Sequence, residues 1–146
     1  VSVALPENVL KFLEQNKVAT VCLLDHQSKP YCINCFYAFD AAEATFVFKS
    51  SYGTTHENLI KASAAIAGTV LPDKIEFTAL KGLQFTGVVT ADYIHGGSSF
   101  NGLYAKMFPM SLVLPGYFWK VKIEYLKFTD NSLGFGNKTI WKRDDT

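Results

Sequence analysis

The 146-residue sequence predicts a mainly β fold of the α+β kind, an antiparallel barrel with short helices packed at its ends. Three observations carry this. Apolar, β-branched and aromatic runs recur along the chain, separated by turn-rich stretches. The longest run, residues 80–93, contains Gly82 and Gly87, and strands that close into a small barrel need such bend points. Helical patterns appear in the first, middle and late thirds, where they can cover the ends and openings of a barrel.

In chain order, Pro6 and Glu7 make a good first helical turn, with Val9, Leu10, Phe12 and Leu13 as the buried face and Asn16 as the stop, so a helix is expected over 6–15. Residues 18–24 read as a buried strand, 25–30 as a turn and 31–39 as the second strand of a hairpin. A turn at 40–43 and a strand over 44–49 complete an antiparallel meander. Ser50 to Gly53 then breaks the chain, and Gly53 can take a positive φ. Thr54 with Glu57 forms a capping box that starts a helix over 54–62. Residues 64–71 are small and β-branched, a strand with close neighbours, and 72–74 turn into the long strand. His95-Gly96-Gly97-Ser98 opens a helix with Phe100, Leu103, Tyr104, Met107 and Phe108 on one stripe, ended by Pro109. The apolar loop 110–116, flanked by Pro109 and Pro115, is placed to cover a pocket or a partner. Strand 118–128 alternates, with Trp119, Val121, Ile123 and Tyr125 on one face and Lys120, Lys122 and Glu124 on the other. Residues 130–131 turn, and 133–142 run out as a final extended segment. Without repeats, linkers or low-complexity tracts, residues 1–146 read as one domain.

Composition narrows the function classes. Apolar residues make up 49% and aromatics 14%, enough for a core without disulfides or metal. Lys+Arg is 14 against Asp+Glu 13, a net charge of +1, so no nucleic-acid partner is expected. Three cysteines, an odd number, fit a reducing cytoplasmic location rather than a disulfide framework. No apolar run reaches a membrane span, and residues 1–5 lack the features of a signal peptide.

Cys32-Ile33-Asn34-Cys35 is formally a C-x-x-C. Positions three apart on a strand face opposite ways, so the two sulfurs share neither metal nor disulfide and read as core or interface thiols. His26, His56 and His95 are scattered, so no metal site is expected. The glycine-rich 96–99 matches neither phosphate-binding fingerprint, and no G-x-S-x-G elbow occurs. Asn34 and Gln84 are lone amides in apolar strands. Each either bonds a neighbouring strand or meets the edge of a planar heterocycle. The start of the 54–62 helix, with hydroxyls at Ser50, Ser51, Thr54 and Thr55, is either a plain surface cap or a seat for a phosphate. Gly134-Phe135-Gly136 marks a bulge or close backbone approach. It leads to Trp141, read first as a dimer contact and alternatively as a stack over a bound ring.

The stretch Lys127-Phe128-Thr129-Asp130-Asn131-Ser132-Leu133-Gly134-Phe135-Gly136, continuing to Lys138, Ile140, Trp141 and Arg143, resembles the pyridoxamine-phosphate oxidase-like FMN-binding split-barrel superfamily, and within it the YhbP-like bacterial family. Asn34, Phe36-Tyr37, Phe39-Asp40, 67–70, Gly82, Gln84-Phe85, Gly87 and Phe108-Pro109 support the resemblance. It implies a split β-barrel of Greek-key type, a homodimer, and FMN in a cleft between subunits, with the phosphate at residues 49–56. On that pattern Ser50, Ser51, Thr54, Thr55 and His56 hold the phosphate with help from Lys49, Asn34 and Gln84 meet the ring edge, and Trp141 stacks. One departure is visible: the superfamily commonly has Lys or Arg where this chain has Gly53 and Thr55. The implied function is an FMN-dependent oxidoreductase of unknown substrate with no catalytic acid or base identified. The rival is a non-catalytic module for a small-molecule ligand or another partner on the same barrel. Haem binding, known among split barrels, would have His56 or His95 as ligand.

Overall fold

The computed structural model describes residues 4–62, 65–94 and 98–144. Seven strands run in the order β3-β2-β1-β4-β5-β6-β7, and a further pairing of β3 with β6 closes the first six into a ring. They are β1 (Val18–Leu24), β2 (Pro30–Asp40), β3 (Thr45–Ser50), β4 (Ala65–Val70), β5 (Lys81–Ile94), β6 (Tyr117–Asp130) and β7 (Lys138–Lys142). All pairings are antiparallel. β1 to β3 form a meander, and β4 returns beside β1 after a long connection, which is the Greek-key order. The expected antiparallel barrel is therefore present, with three helices: α1 (Glu7–Gln15), α2 (Thr55–Ala62) and α3 (Ser98–Met107).

Alternation of side chains fills the barrel. Phe46, Phe48, Trp119, Val121, Ile123, Leu83 and Phe85 are buried together, and Phe46 touches the rings of Tyr37, Phe39, Phe48 and Phe85. α1 closes one end. Its Val9, Phe12 and Leu13 are buried, and the Tyr37 hydroxyl donates to Leu13 O at 2.7 Å. Asn16 stops the helix by donating to Phe12 O and accepting from Asp73 N–H, which ties the β4–β5 connection to the same end. α3 lies on the outside of β2, β3 and β6, where Tyr104 joins Ala38, Val47 and Phe118 in a second, smaller core.

Three expectations need correction. β6 does not keep one alternation to its end. Its partner register jumps from Ile123–Gly87 to Tyr125–Thr86, so Glu124 is an extra residue and Leu126 and Phe128, not Tyr125, continue the buried face. Gly87 sits at that step because a Cβ there would lie 2.4 Å from Lys122 O. The segment 133–142 is not extended throughout. A 3-10 turn over Asn131–Leu133 precedes it, and Gly134 and Gly136 take φ of +117° and +78°. The glycines serve the turn, not a close packing, since a Cβ at either would meet nothing within 4 Å. Asn34 and Gln84 are exposed rather than buried amides, because both fall on the outward phase of their strands. The expected helix opening at His95-Gly96-Gly97 and the strand start at Ala64 lie outside the described residues.

Candidate functional site

Where β3 leaves the barrel, a cleft of about 300 Å³ opens between the strand end, α3 and the loop after it. Phe36, Tyr104, Phe108, Met110, Leu114 and Pro115 supply apolar walls, and Lys49, Ser50, Ser51 and Ser111 the polar lining. Phe36 and Phe108 meet at 5.2 Å between ring centroids, although Phe36 still exposes 56% of its surface. The loop after Pro109 starts as a 3-10 turn, Pro109–Leu112. The Lys49 ammonium donates to Ser111 O at 2.5 Å and to Leu114 O at 2.6 Å, and lies 5.3 Å from the Phe118 ring centroid. Lys49 thus fastens the loop over the cleft and is already partnered by two carbonyls.

Ser50 faces the other way. Its Oγ accepts from the Trp119 indole N–H at 2.9 Å and interacts with the Cys35 thiol, which burial pushes up to about 11. The hydroxyl therefore belongs to the barrel interior, and only the rest of the residue lines the cleft.

The turn that follows has Gly53 at φ +75° and leads into α2. Its hydrogen bonds differ from the expected capping box. Glu57 Oε2 accepts from Gly53 N–H at 2.7 Å, while the Thr54 hydroxyl donates back to Ser51 O at 3.2 Å and lies 3.3 Å from His56 Nε2. The positive end of α2 is thus already matched by the chain's own carboxylate, which Lys61 approaches to 3.6 Å. Burial holds the His56 imidazole below its usual pKa, with Glu57 pulling the other way, so the ring is neutral at pH 7.

The remaining expected residues fall elsewhere. Asn34 sits two positions from Phe36 on the outer face of β2, and its Oδ1 accepts from Thr20 Oγ1 at 2.7 Å. Thr20 opposes Thr69 on β4, and Thr69 opposes Gln84 on β5, so the two amides end one polar row across four strands. Gln84 lines a separate outer hollow of about 410 Å³ with Leu71, Leu80, Gly82 and Thr129. Trp141 packs against the barrel from β7, donates to Ala4 O at 3.2 Å and carries the Arg143 guanidinium 5.6 Å from its ring. It is not part of this chain's cleft. His95 lies outside the described residues. Sequence reasoning missed Phe36, Tyr104 and Phe108 as cleft walls, because a stripe of aromatics reads first as core. It found Glu57 only as a cap, not as a charge occupying the anion position.

Among the described residues, no group of three His, Cys, Asp or Glu side chains is arranged to hold a metal. No helix of the described residues is long and apolar enough to cross a membrane.

No protein-family model matches the chain. The UPF0306 protein YhbP of Salmonella schwarzengrund (strain CVM19633) is 34% identical over 134 residues, covering 92% of this chain and 90% of the relative. YhbP of Salmonella arizonae is 33% identical over 138 residues, covering 94% and 93%. The chain belongs to the UPF0306 YhbP family. Its architecture extends beyond that family. A haem-binding protein from Mycobacterium smegmatis superposes with a TM-score of 0.73 at 12% identity, covering 96% of this chain and 60% of that one. A pyridoxamine 5′-phosphate oxidase-related, FMN-binding protein from Nostoc punctiforme superposes at 0.69 with 10% identity, covering 94% and 90%. At such identities the likeness is one of fold. This YhbP-family chain has a split-barrel fold, shared with the haem-binding protein and the FMN-binding protein named above.

Proposed function

We propose that this YhbP-family protein binds a planar ring ligand of the flavin class in the cleft at the end of β3. The observation that carries this reading is the cleft itself: aromatic and aliphatic walls over a floor tied down by Lys49, at the point where β3 hands over to α2. Apolar walls with a few placed polar groups are what a ring system requires. Any redox chemistry would reside in the ring. The titratable side chains lining the cleft are Lys49, whose ammonium is held by two carbonyls, and Tyr104, whose hydroxyl burial pushes up to about 12, out of range for a general acid or base near pH 7.

The residues fit the ring part of FMN better than its phosphate. The cations expected at Gly53 and Thr55 are missing, Lys49 is engaged, Ser50 turns inward, His56 is neutral and Glu57 places a negative charge at the helix start. Ser51, Thr54, Thr55 and His56 would remain as neutral donors, which make weaker contacts to an anion than charged ones do. A non-catalytic ligand carrier is the second reading, favoured by that same absence of an acid or base in the cleft.

The protein is expected to act as a homodimer. Phe36, exposed at 56% beside the cleft, pairs with Val18 on β1, exposed at 37%, at one end of an outer face to which β1 and β4 contribute no charge. A second copy seated on Phe36 and Val18 at that end would close the cleft, and light scattering would read the dimer.

The direct test is the absorption spectrum of the purified protein, followed by parallel titrations with riboflavin and FMN. Both are expected to quench on binding, with FMN gaining no advantage over riboflavin. Glu57→Gln should shift the preference toward FMN several-fold. No response to either flavin overturns the reading, and a Soret band on adding haem would replace it with one in which neutral His56 is the candidate ligand.

A further inference from the structure

Cys22 and Cys32 are direct cross-strand partners on β1 and β2. The register shows which kind of pair they form. Tyr37 N–H donates to Lys17 O at 2.9 Å, so Lys17–Tyr37 is a hydrogen-bonded pair. Counting along the ladder in alternation, Cys22–Cys32 is a non-hydrogen-bonded pair. Side chains at such positions point to the same face, and their Cα atoms lie about 4.5 Å apart. A disulfide spans Cα separations of roughly 4.4 to 6.8 Å, so this pair sits at the short end of the permitted range. Cys32 is exposed and Cys22 half-buried, and the Cys22 thiol is pushed up first by burial and then by the neighbouring Cys32 thiol. Ala67, the partner of Cys22 on β4, leaves space beside them. The pair lies one row of outward-facing residues from the Leu24–Pro30 end of the hairpin, away from Phe36 and the cleft. The C-x-x-C partner of Cys32, Cys35, is buried on the opposite face beside Ser50.

We propose that Cys22 and Cys32 form a reversible cross-strand disulfide on exposure to a small-molecule disulfide such as oxidised glutathione. The thiolate of Cys32, the more exposed of the two, attacks one sulfur of the oxidant, forms a mixed disulfide and expels one glutathione thiolate. The Cys22 thiolate then attacks the Cys32 sulfur, closes the cross-strand bond and expels the second. The two cysteines lose two electrons and two protons, and the oxidant leaves as two reduced thiols. The Cys32 end of the bond is exposed, and exposed disulfides are among the readily reduced ones, so the bond is a reversible modification rather than a structural staple.

The test uses the full chain in native buffer with graded ratios of reduced to oxidised glutathione, acid quenching, alkylation and peptide mass spectrometry. The expected product is a peptide linked between Cys22 and Cys32, lighter by two hydrogens, formed at the same ratios in Cys35→Ser. Cys22→Ser is expected to keep a stable glutathione adduct on Cys32. A lasting adduct on Cys32 in the unsubstituted chain, a link from either residue to Cys35, or linkage seen only after denaturation would each overturn the proposal. Unchanged circular dichroism of both variants guards against misreading a folding defect.

Discussion

Phe48 and Lys49 are adjacent in β3, yet they belong to two kinds of structure. Phe48 faces a barrel interior of interlocking rings, with Trp119 stacked at 4.4 Å. Lys49 faces a corner where polar groups are tied to one another: ammonium to carbonyls, Glu57 to Gly53, Thr54 to Ser51. The interior is held by close contact, which any change of volume disturbs. The corner is held by hydrogen bonds that also occupy the groups an anionic ligand would use. Strand alternation therefore decides where the architecture ends and where binding can begin.

The comparison breaks most visibly in the interior. Phe46 is fully buried and touches four other rings. Phe46→Ala is expected to destabilise by about 3–5 kcal/mol, the usual penalty for removing a buried aromatic and leaving a cavity. Urea unfolding with an unchanged slope would show it. A loss below about 1 kcal/mol would mean that the interior relaxes and that the contrast with the corner is false.

Lys49→Met sharpens the other side. The stem is kept, and the two bonds to Ser111 O and Leu114 O are lost. Hydrogen bonds to charged groups contribute about 1.5–3 kcal/mol, and exposure of this one to solvent places the expected loss at the lower end. The loss should be local. Amide exchange should quicken over 110–116 while the β5–β6 ladder keeps its protection. Equal acceleration in both would show that Lys49 supports the barrel as a whole.

These contrasts also explain what the sequence could reveal. Strand positions were legible because Val18–Leu24 and its neighbours alternate between turn signals that have local causes. Asp25, for example, accepts from Gln27 and Lys29 N–H and holds the first hairpin. The phase change in β6 was not legible, since Glu124 looks like any outward residue until its register against Gly87 is seen. In the corner, residue types were legible and directions were not. Ser50 and Ser51 are chemically alike, but strand phase turns the first toward Trp119 and leaves the second at the surface. Glu57 was recognised at the helix start, yet its carboxylate could serve the helix or repel a ligand, and only the bond to Gly53 shows that it occupies the anion position. The Cys22–Cys32 pairing needed the hairpin register, whereas the C-x-x-C spacing drew attention to the wrong partner.

The smallest effect expected concerns His56. Burial lowers its folded pKa below the unfolded value of about 6.5, against the opposing pull of Glu57. Between the two values the unfolded chain binds a proton that the folded chain does not, so stability rises with pH across that window. The stabilising term is fully present above the unfolded pKa and is lost as pH falls through the folded one. Wild type minus His56→Gln, measured as urea midpoints at stepped pH, should be level above pH 7 and decline below about 6.5. The residue is only partly buried, so the decline should be shallow, and high salt should deepen it slightly by screening the opposing pull of Glu57. A difference that grows toward acid would mean that Glu57 outweighs burial. The corner would then carry a His–Glu ion pair and gain affinity for anions as the pH falls, in contrast to the uncharged seat described here.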